Sequence, residues 1–135
     1  MSLLQHYQAV RNLIPADPTF AVYFGRVPSK PTYPYVVVWG DLGREGGDSL
    51  GDAVDQLDLR PRVTYVATGF EQLMFVADRV RAALNRRAPV VAGWTPSKLR
   101  QQALAASTTD YDVTFTDGSH PVYAVDEYPF TSDKN

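Results

Sequence analysis

The 135-residue sequence contains no cysteine. That single absence excludes disulfide frameworks, thiolate zinc sites and cysteine nucleophiles, and it fits a reducing compartment. Histidine is nearly as scarce. His6 and His120 are the only two, neither has a second ligand at metal-binding spacing, and both read as surface side chains. An excess of basic charge is also missing: the formal net charge is −2, which leaves no global field to hold nucleic acid. Long apolar runs are absent too. Residues 88–94 form the longest stretch without a polar side chain, and it contains Pro89 and Gly93, whereas a membrane span needs about 20 residues. The first twelve residues lack both a basic start and a small-residue cleavage site, so no signal peptide is expected. The expectation is a soluble chain without membrane contact, folding as one domain over residues 1–135.

Reaction motifs are missing as well. No glycine-rich loop ends in Lys-Ser or Lys-Thr, and Gly43, Gly46 and Gly47 do not precede a helix. Asp110, Asp112 and Asp117 hint at a calcium loop, but the interleaved Tyr111, Val113 and Phe115 put them on the solvent face of an expected strand. No catalytic, cofactor-binding or metal-ligating residue is therefore nominated, and the expectation is a protein that is not an enzyme.

What is present is a clear periodic pattern. Ser2-Leu3-Leu4-Gln5 reads as a capping box. Leu3, Tyr7, Val10 and Ile14 follow at helical spacing until Pro15 stops them, predicting a helix over residues 3–14. Residues 20–24 and 35–39 are aromatic and β-branched runs that read as strands, the second buried on both faces. Residues 40–51 hold five of the nine glycines with Asp41, Glu45 and Asp48, and predict a mobile loop or loosely held hairpin tip. Leu57, Leu59, Val63, Tyr65 and Ala67 then alternate with polar residues in one long strand, which Pro61 makes either an edge or bulged.

Thr68-Gly69-Phe70-Glu71 reads as a second capping box. The helix after it carries a core stripe of Phe70, Leu73, Ala77, Val80 and Leu84, with Phe75 on the other side and Arg86-Arg87 at its end. Residues 90–95, 110–116 and 121–130 are candidate strands, with Asp117-Gly118 as a hairpin turn. Residues 98–107 are ambiguous and could form a helical turn, and residues 131–135 should fray. The class is α+β, with two main helices packed on one face of a mostly antiparallel or mixed sheet.

Charge is unevenly spread along the chain. Residues 1–40 carry +2, residues 41–58 carry −5, residues 59–100 carry +6 and residues 101–135 carry −5. Either these charges neutralise each other within one fold, or an acidic face of one copy meets the basic helix of the next. The second arrangement joins unlike surfaces and so closes into a ring or extends as a filament. Exposed ion pairs give at most about 1 kcal/mol each, so apolar residues such as Phe75 would supply affinity while charges orient the neighbour. On this argument Phe75, Arg79, Arg86, Arg87, Asp110 and Asp112 are candidate subunit or tube contacts.

Several stretches resemble the tail terminator, or tail completion, proteins of long-tailed bacteriophages. They are Val27-Pro28, Pro34-Tyr35-Val36-Val37-Val38, the glycine- and aspartate-rich segment, Arg62 to Thr68 leading into residues 70–84, and the Asp112, Tyr123-Ala124-Val125 and Tyr128 ending. The resemblance spans roughly residues 3–130. It implies an α+β subunit of a six-membered homo-oligomeric ring on the head-proximal end of the tail tube. Such a ring stops tube polymerisation and meets the tail tube protein, head-completion or connector proteins and the tape measure protein, inside a virion assembled in the host cytoplasm. DNA passes through without sequence-specific binding. A lumen carrying Asp48, Asp52, Asp55 and Asp58 would repel phosphate, with Arg60 and Arg62 neutralised by acidic residues. Alternatives are another neck or head-completion protein, or a monomeric domain that binds a small ligand near Trp39 and Trp94.

Overall fold

Proline has no N–H to give a sheet ladder, and Pro61 decides how this chain folds. The computed structural model describes residues 2–46 and 55–135. In it the expected long strand is two: β4 (Gln56–Leu59) and β5 (Arg62–Ala67) lie on either side of Pro61 and belong to different sheets. The alternation is real, but the proline bends the strand out of one sheet and into another rather than marking an edge or a bulge. The partner hairpin bends at the same level. β8 (Val122–Glu127) pairs with β5, β9 (Phe130–Lys134) pairs with β4, and the N–H of Tyr128 between them donates to the Pro61 carbonyl at 2.8 Å.

The five-stranded sheet has the order β1 (Ala21–Phe24), β2 (Tyr35–Trp39), β5, β8, β7 (Gln102–Thr109), with β1 parallel to β2 and the rest antiparallel. The four-stranded sheet runs β3 (Arg44–Gly46), β4, β9, β6 (Trp94–Pro96), all antiparallel. With α1 (Ser2–Asn12) and α2 (Phe70–Leu84), the class is α+β as expected.

Paired residues share a sheet face. One face of the larger sheet therefore carries Val36 and Val38 of β2 with Val63, Tyr65 and Ala67 of β5, all essentially buried. Both helices contribute to the same core: Val10 from α1, and Leu73, Val76, Ala77, Val80 and Leu84 from α2. The second sheet adds Leu57, Leu59 and Phe130. Phe70, expected in the α2 stripe, is exposed, and Val76 takes its place in the core.

Several local expectations change. The box before α2 closes one residue later than the motif suggests: Gln72 Oε1, not Glu71, accepts from the Thr68 N–H and hydroxyl at 2.9 and 2.8 Å. Residues 44–46 of the glycine-rich segment are strand β3, paired with β4, whereas residues 47–51 lie outside the described part. Residues 98–107 are not helical; most of them form β7. Residues 110–116 are not a strand. Asp110 and Asp117 instead bond backbone N–H groups two residues on, at 3.1 and 2.9 Å, and hold residues 110–121 as a turn-rich loop.

The C-terminal residues do not fray either. β9 lies between β4 and β6, and Ser132 is fully buried. Its partner is His6, which is buried in α1 rather than on the surface. The Nδ1–H of His6 donates to the Ser2 carbonyl at 2.5 Å, Nε2 lies 2.7 Å from Ser132 Oγ, and the ring packs edge-on to Trp94. His6 thus pins α1 to the smaller sheet.

Candidate functional site

Three constellations stand out, and one is built on a buried carboxylate. Asp126 of β8 is 2% exposed and faces α2. Arg81 grips it with two bonds, Nε to Oδ2 at 2.7 Å and Nη2 to Oδ1 at 2.8 Å. Tyr65 donates to Oδ2 at 2.7 Å, Gln101 Nε2 to Oδ1 at 3.1 Å, and the Tyr65 and Tyr128 hydroxyls bond each other at 2.7 Å. Burial is the main reason that both phenols resist ionisation, with the Asp126 charge adding to it, while the carboxylate bonds hold the guanidinium protonated. Each acceptor of Asp126 is filled by a donor of this chain. The cluster therefore has the character of a tie between α2, β5, β8 and the start of β7.

The second constellation sits at the strand bend. Glu127 receives Arg60 Nη1 at 3.5 Å and Arg62 Nε at 3.2 Å. The Arg62 guanidinium also lies over the Trp39 ring at 5.4 Å, and Trp39 Nε1 donates to Thr64 at 2.8 Å. Arg60 and Arg62 thus share one carboxylate of their own chain, which leaves the cluster one positive charge in excess. Asp55 and Asp58 are elsewhere, on the hairpin of the smaller sheet, where Asp58 stands opposite Arg44 and Thr131. Asp48 and Asp52 lie outside the described residues.

The third is the surface itself. On α2, Phe75 is 41% exposed beneath the Arg79 guanidinium at 4.9 Å, and Arg79 reaches Asp17 at 3.6 Å. Phe70 and Met74 are exposed on the same helix. Arg86 and Arg87 follow the end of α2, locked to the next segment by Arg86 N–H to Leu99 O and Leu99 N–H to Arg87 O, both 2.8 Å. Asp110 and Asp112 lie far from them, beyond the other end of β7. The six nominated contact residues therefore make three patches: Phe75 with Arg79, Arg86 with Arg87, and Asp110 with Asp112.

Sequence reasoning missed the Asp126 cluster. Its trace was there, since Ala124, Asp126 and Tyr128 alternate in register with the apolar side of β5. Trp39 lines an apolar groove of about 460 Å3 with Leu3, Leu4, Tyr7 and Phe24, while Trp94 packs on His6. Among the described residues no three histidine, aspartate or glutamate side chains converge to hold a metal, and no helix is long and apolar enough to cross a membrane.

Comparison with known proteins agrees with this architecture. A chain of the virion of a native gene transfer agent (GTA) particle superposes with a TM-score of 0.58 at 17% identity, with 96% of each chain covered. A second solved chain, without a descriptive name, gives 0.51 at 16% identity, covering 99% of this chain and 94% of its own. At these identities the likeness concerns the fold. No curated protein matches the sequence significantly. The model of the family described as tail completion protein gp17 matches residues 1–125. The chain belongs to the tail completion protein gp17 family, and it is a phage tail structural protein and virion component.

Proposed function

We propose that copies of this chain close into a six-membered ring on the head-proximal end of the tail tube, end tube polymerisation there, and present the opposite side to head-completion or connector proteins. The observation that carries this reading is the family match over residues 1–125. The shared fold with a chain of a gene transfer agent virion supports it. The ring works by contact and shape rather than by chemistry on a substrate. Phe70 and Met74 on one side of α2, and Phe75 beneath Arg79 on another, are exposed apolar residues of the kind that anchor a protein partner. DNA passes through the ring without sequence-specific contacts, and Glu127, shared by Arg60 and Arg62, offsets one of two positive charges that would otherwise grip phosphate.

The test is a tube-growth assay. Tail tube protein is polymerised with and without the purified chain, and tube lengths and ends are measured by electron microscopy. Capped, shortened tubes with a ring at one end are expected. Tubes that keep lengthening at saturating concentrations of the chain would overturn the reading.

A further inference from the structure

Strand register sorts the charges of the larger sheet by position. At one end of the sheet the paired row is Trp39, Arg62, Glu127 and Gln102; at the other it is Tyr35, Val66, Tyr123 and Thr108. The cations gather at the first end. Arg86 and Arg87 follow α2 there, and Lys98 and Arg100 precede β7. Arg86, Lys98 and Arg100 line a cleft of about 520 Å3 with Asn85, Leu99 and Gln101, and no carboxylate is among its lining residues. The cleft is held in shape by the two Leu99 backbone bonds and by Asn85 Oδ1 accepting the Gln101 N–H at 3.0 Å.

The carboxylates gather at the second end. Asp110, Asp112 and Asp117 lie in the loop that joins β7 to β8. Among the described residues, none of these four cations and three carboxylates belongs to an ion pair. Between the two groups runs β7, an exposed edge strand whose register shifts match its eight residues to the six of β8, so that it spans about 20 Å. That is too far for one end to neutralise the other in the same molecule.

We infer that the basic cleft lined by Arg86, Lys98 and Arg100, with Arg87 next to it in the chain, docks onto the loop carrying Asp110, Asp112 and Asp117 of a second copy of this chain. The contact joins unlike surfaces, so it repeats head-to-tail from copy to copy. It deepens the ring reading above and rests on it, because ring closure is what ends the series. A second copy fits the cleft better than a nucleic acid does. The net charge of −2 gives no global basic field to gather a phosphate polymer, whereas the matching carboxylate cluster is presented by the same molecule. β7 helps by being thin: Ala103, Ala105, Ala106 and Ser107 are small, and Leu104 is the large apolar residue exposed among them.

The test uses charge exchange in the full chain. Arg86→Glu/Arg87→Glu/Arg100→Glu makes both ends acidic, and Asp110→Lys/Asp112→Lys makes both basic. Sedimentation at low salt should show each variant associating with itself about tenfold to a hundredfold more weakly than the natural chain. An equimolar mixture should regain association, since every contact is again between opposite charges, and that recovery also shows that both variants fold. Carbodiimide coupling of a mixture of 14N- and 15N-labelled natural chains should give peptides joining Lys98 of one isotope to Asp110, Asp112 or Asp117 of the other. Variants that associate like the natural chain, a mixture that stays dissociated, or no mixed-isotope Lys98 link would each overturn the contact. So would binding to duplex DNA that the arginine variant abolishes while association survives. The tube-growth assay keeps the two readings apart. Charge variants that still cap tubes remove this contact alone, and a natural chain that associates this way but caps nothing removes the ring function alone.

Discussion

Removing Arg81 should damage the fold more than removing Arg81 and its partner together. Arg81→Met takes away both bonds to Asp126, whose carboxylate is 2% exposed and keeps only Tyr65, Tyr128 and Gln101 as donors. Breaking a buried pair from one side costs about 3–5 kcal/mol, because a charge is left behind. The Arg81 side chain is 42% exposed, so the pair is open to water on one flank and the lower figure, about 3 kcal/mol, is expected. Asp126→Val leaves a guanidinium that can turn to solvent and one tyrosine O–H without an acceptor, a loss of about 1–3 kcal/mol. The double variant Arg81→Met/Asp126→Val keeps only that hydroxyl penalty. It should be more stable than Arg81→Met alone, with a coupling of about 3 kcal/mol. Urea unfolding followed by far-ultraviolet circular dichroism measures all four chains, with m-values expected to agree. A double variant at least as unstable as the sum of the singles would refute the reasoning, as would Arg81→Met within about 0.5 kcal/mol of the natural chain.

Gly43→Ala should destabilise the β3–β4 hairpin by about 1–3 kcal/mol. The residue has φ +70°, and an added Cβ would stand 2.7 Å from the Asp58 carbonyl oxygen and strike the Leu59 side chain; amide exchange at Gln56 and Asp58 reads the loosening. Ser132→Ala strips the buried His6 Nε2 of its partner and should cost about 1–3 kcal/mol by thermal unfolding; no change would mean that α1 is not tied to β9 in this way. Alkaline pH should destabilise the fold through its phenols. Tyr7 is pushed up to about 12, by burial first and then by Asp41, and burial raises Tyr65 and Tyr128 as well. The unfolded chain loses these protons near pH 10 and the native chain does not, so stability is full below about pH 10 and falls as pH rises beyond it. Tyr7→Phe should shrink that fall, and phenolate absorbance should appear together with unfolding.

How much could be read in advance varied with the kind of force at work. The α2 face was legible because Leu73, Ala77, Val80 and Leu84 recur at helical spacing and the core simply accepts them. The β4–β5 alternation was equally legible, but a proline says only that a ladder bond is missing, not that the chain will change sheets there. Gln102 to Thr109 has the composition of a weak helix and became a strand because β8 offers it a ladder, which is long-range information. Asp110 to Thr116 alternates like a strand, yet its aspartates spend themselves on nearby backbone N–H groups. Thr131 to Lys134 looks polar enough to fray, and only the fold reveals the buried histidine waiting for Ser132. The charges were countable from the start. Which of them are consumed internally was not, because Asp126 and Glu127 meet arginines 45 and 65 residues away.

The paired bend at Pro61 and Tyr128 makes the two sheets continuous in the covalent chain, since β4 runs into β5 and β8 into β9. Neither sheet can slide or tilt without distorting the other. The subunit is in effect a rigid bracket, and whatever grips one arm is held at a set angle to whatever grips the second.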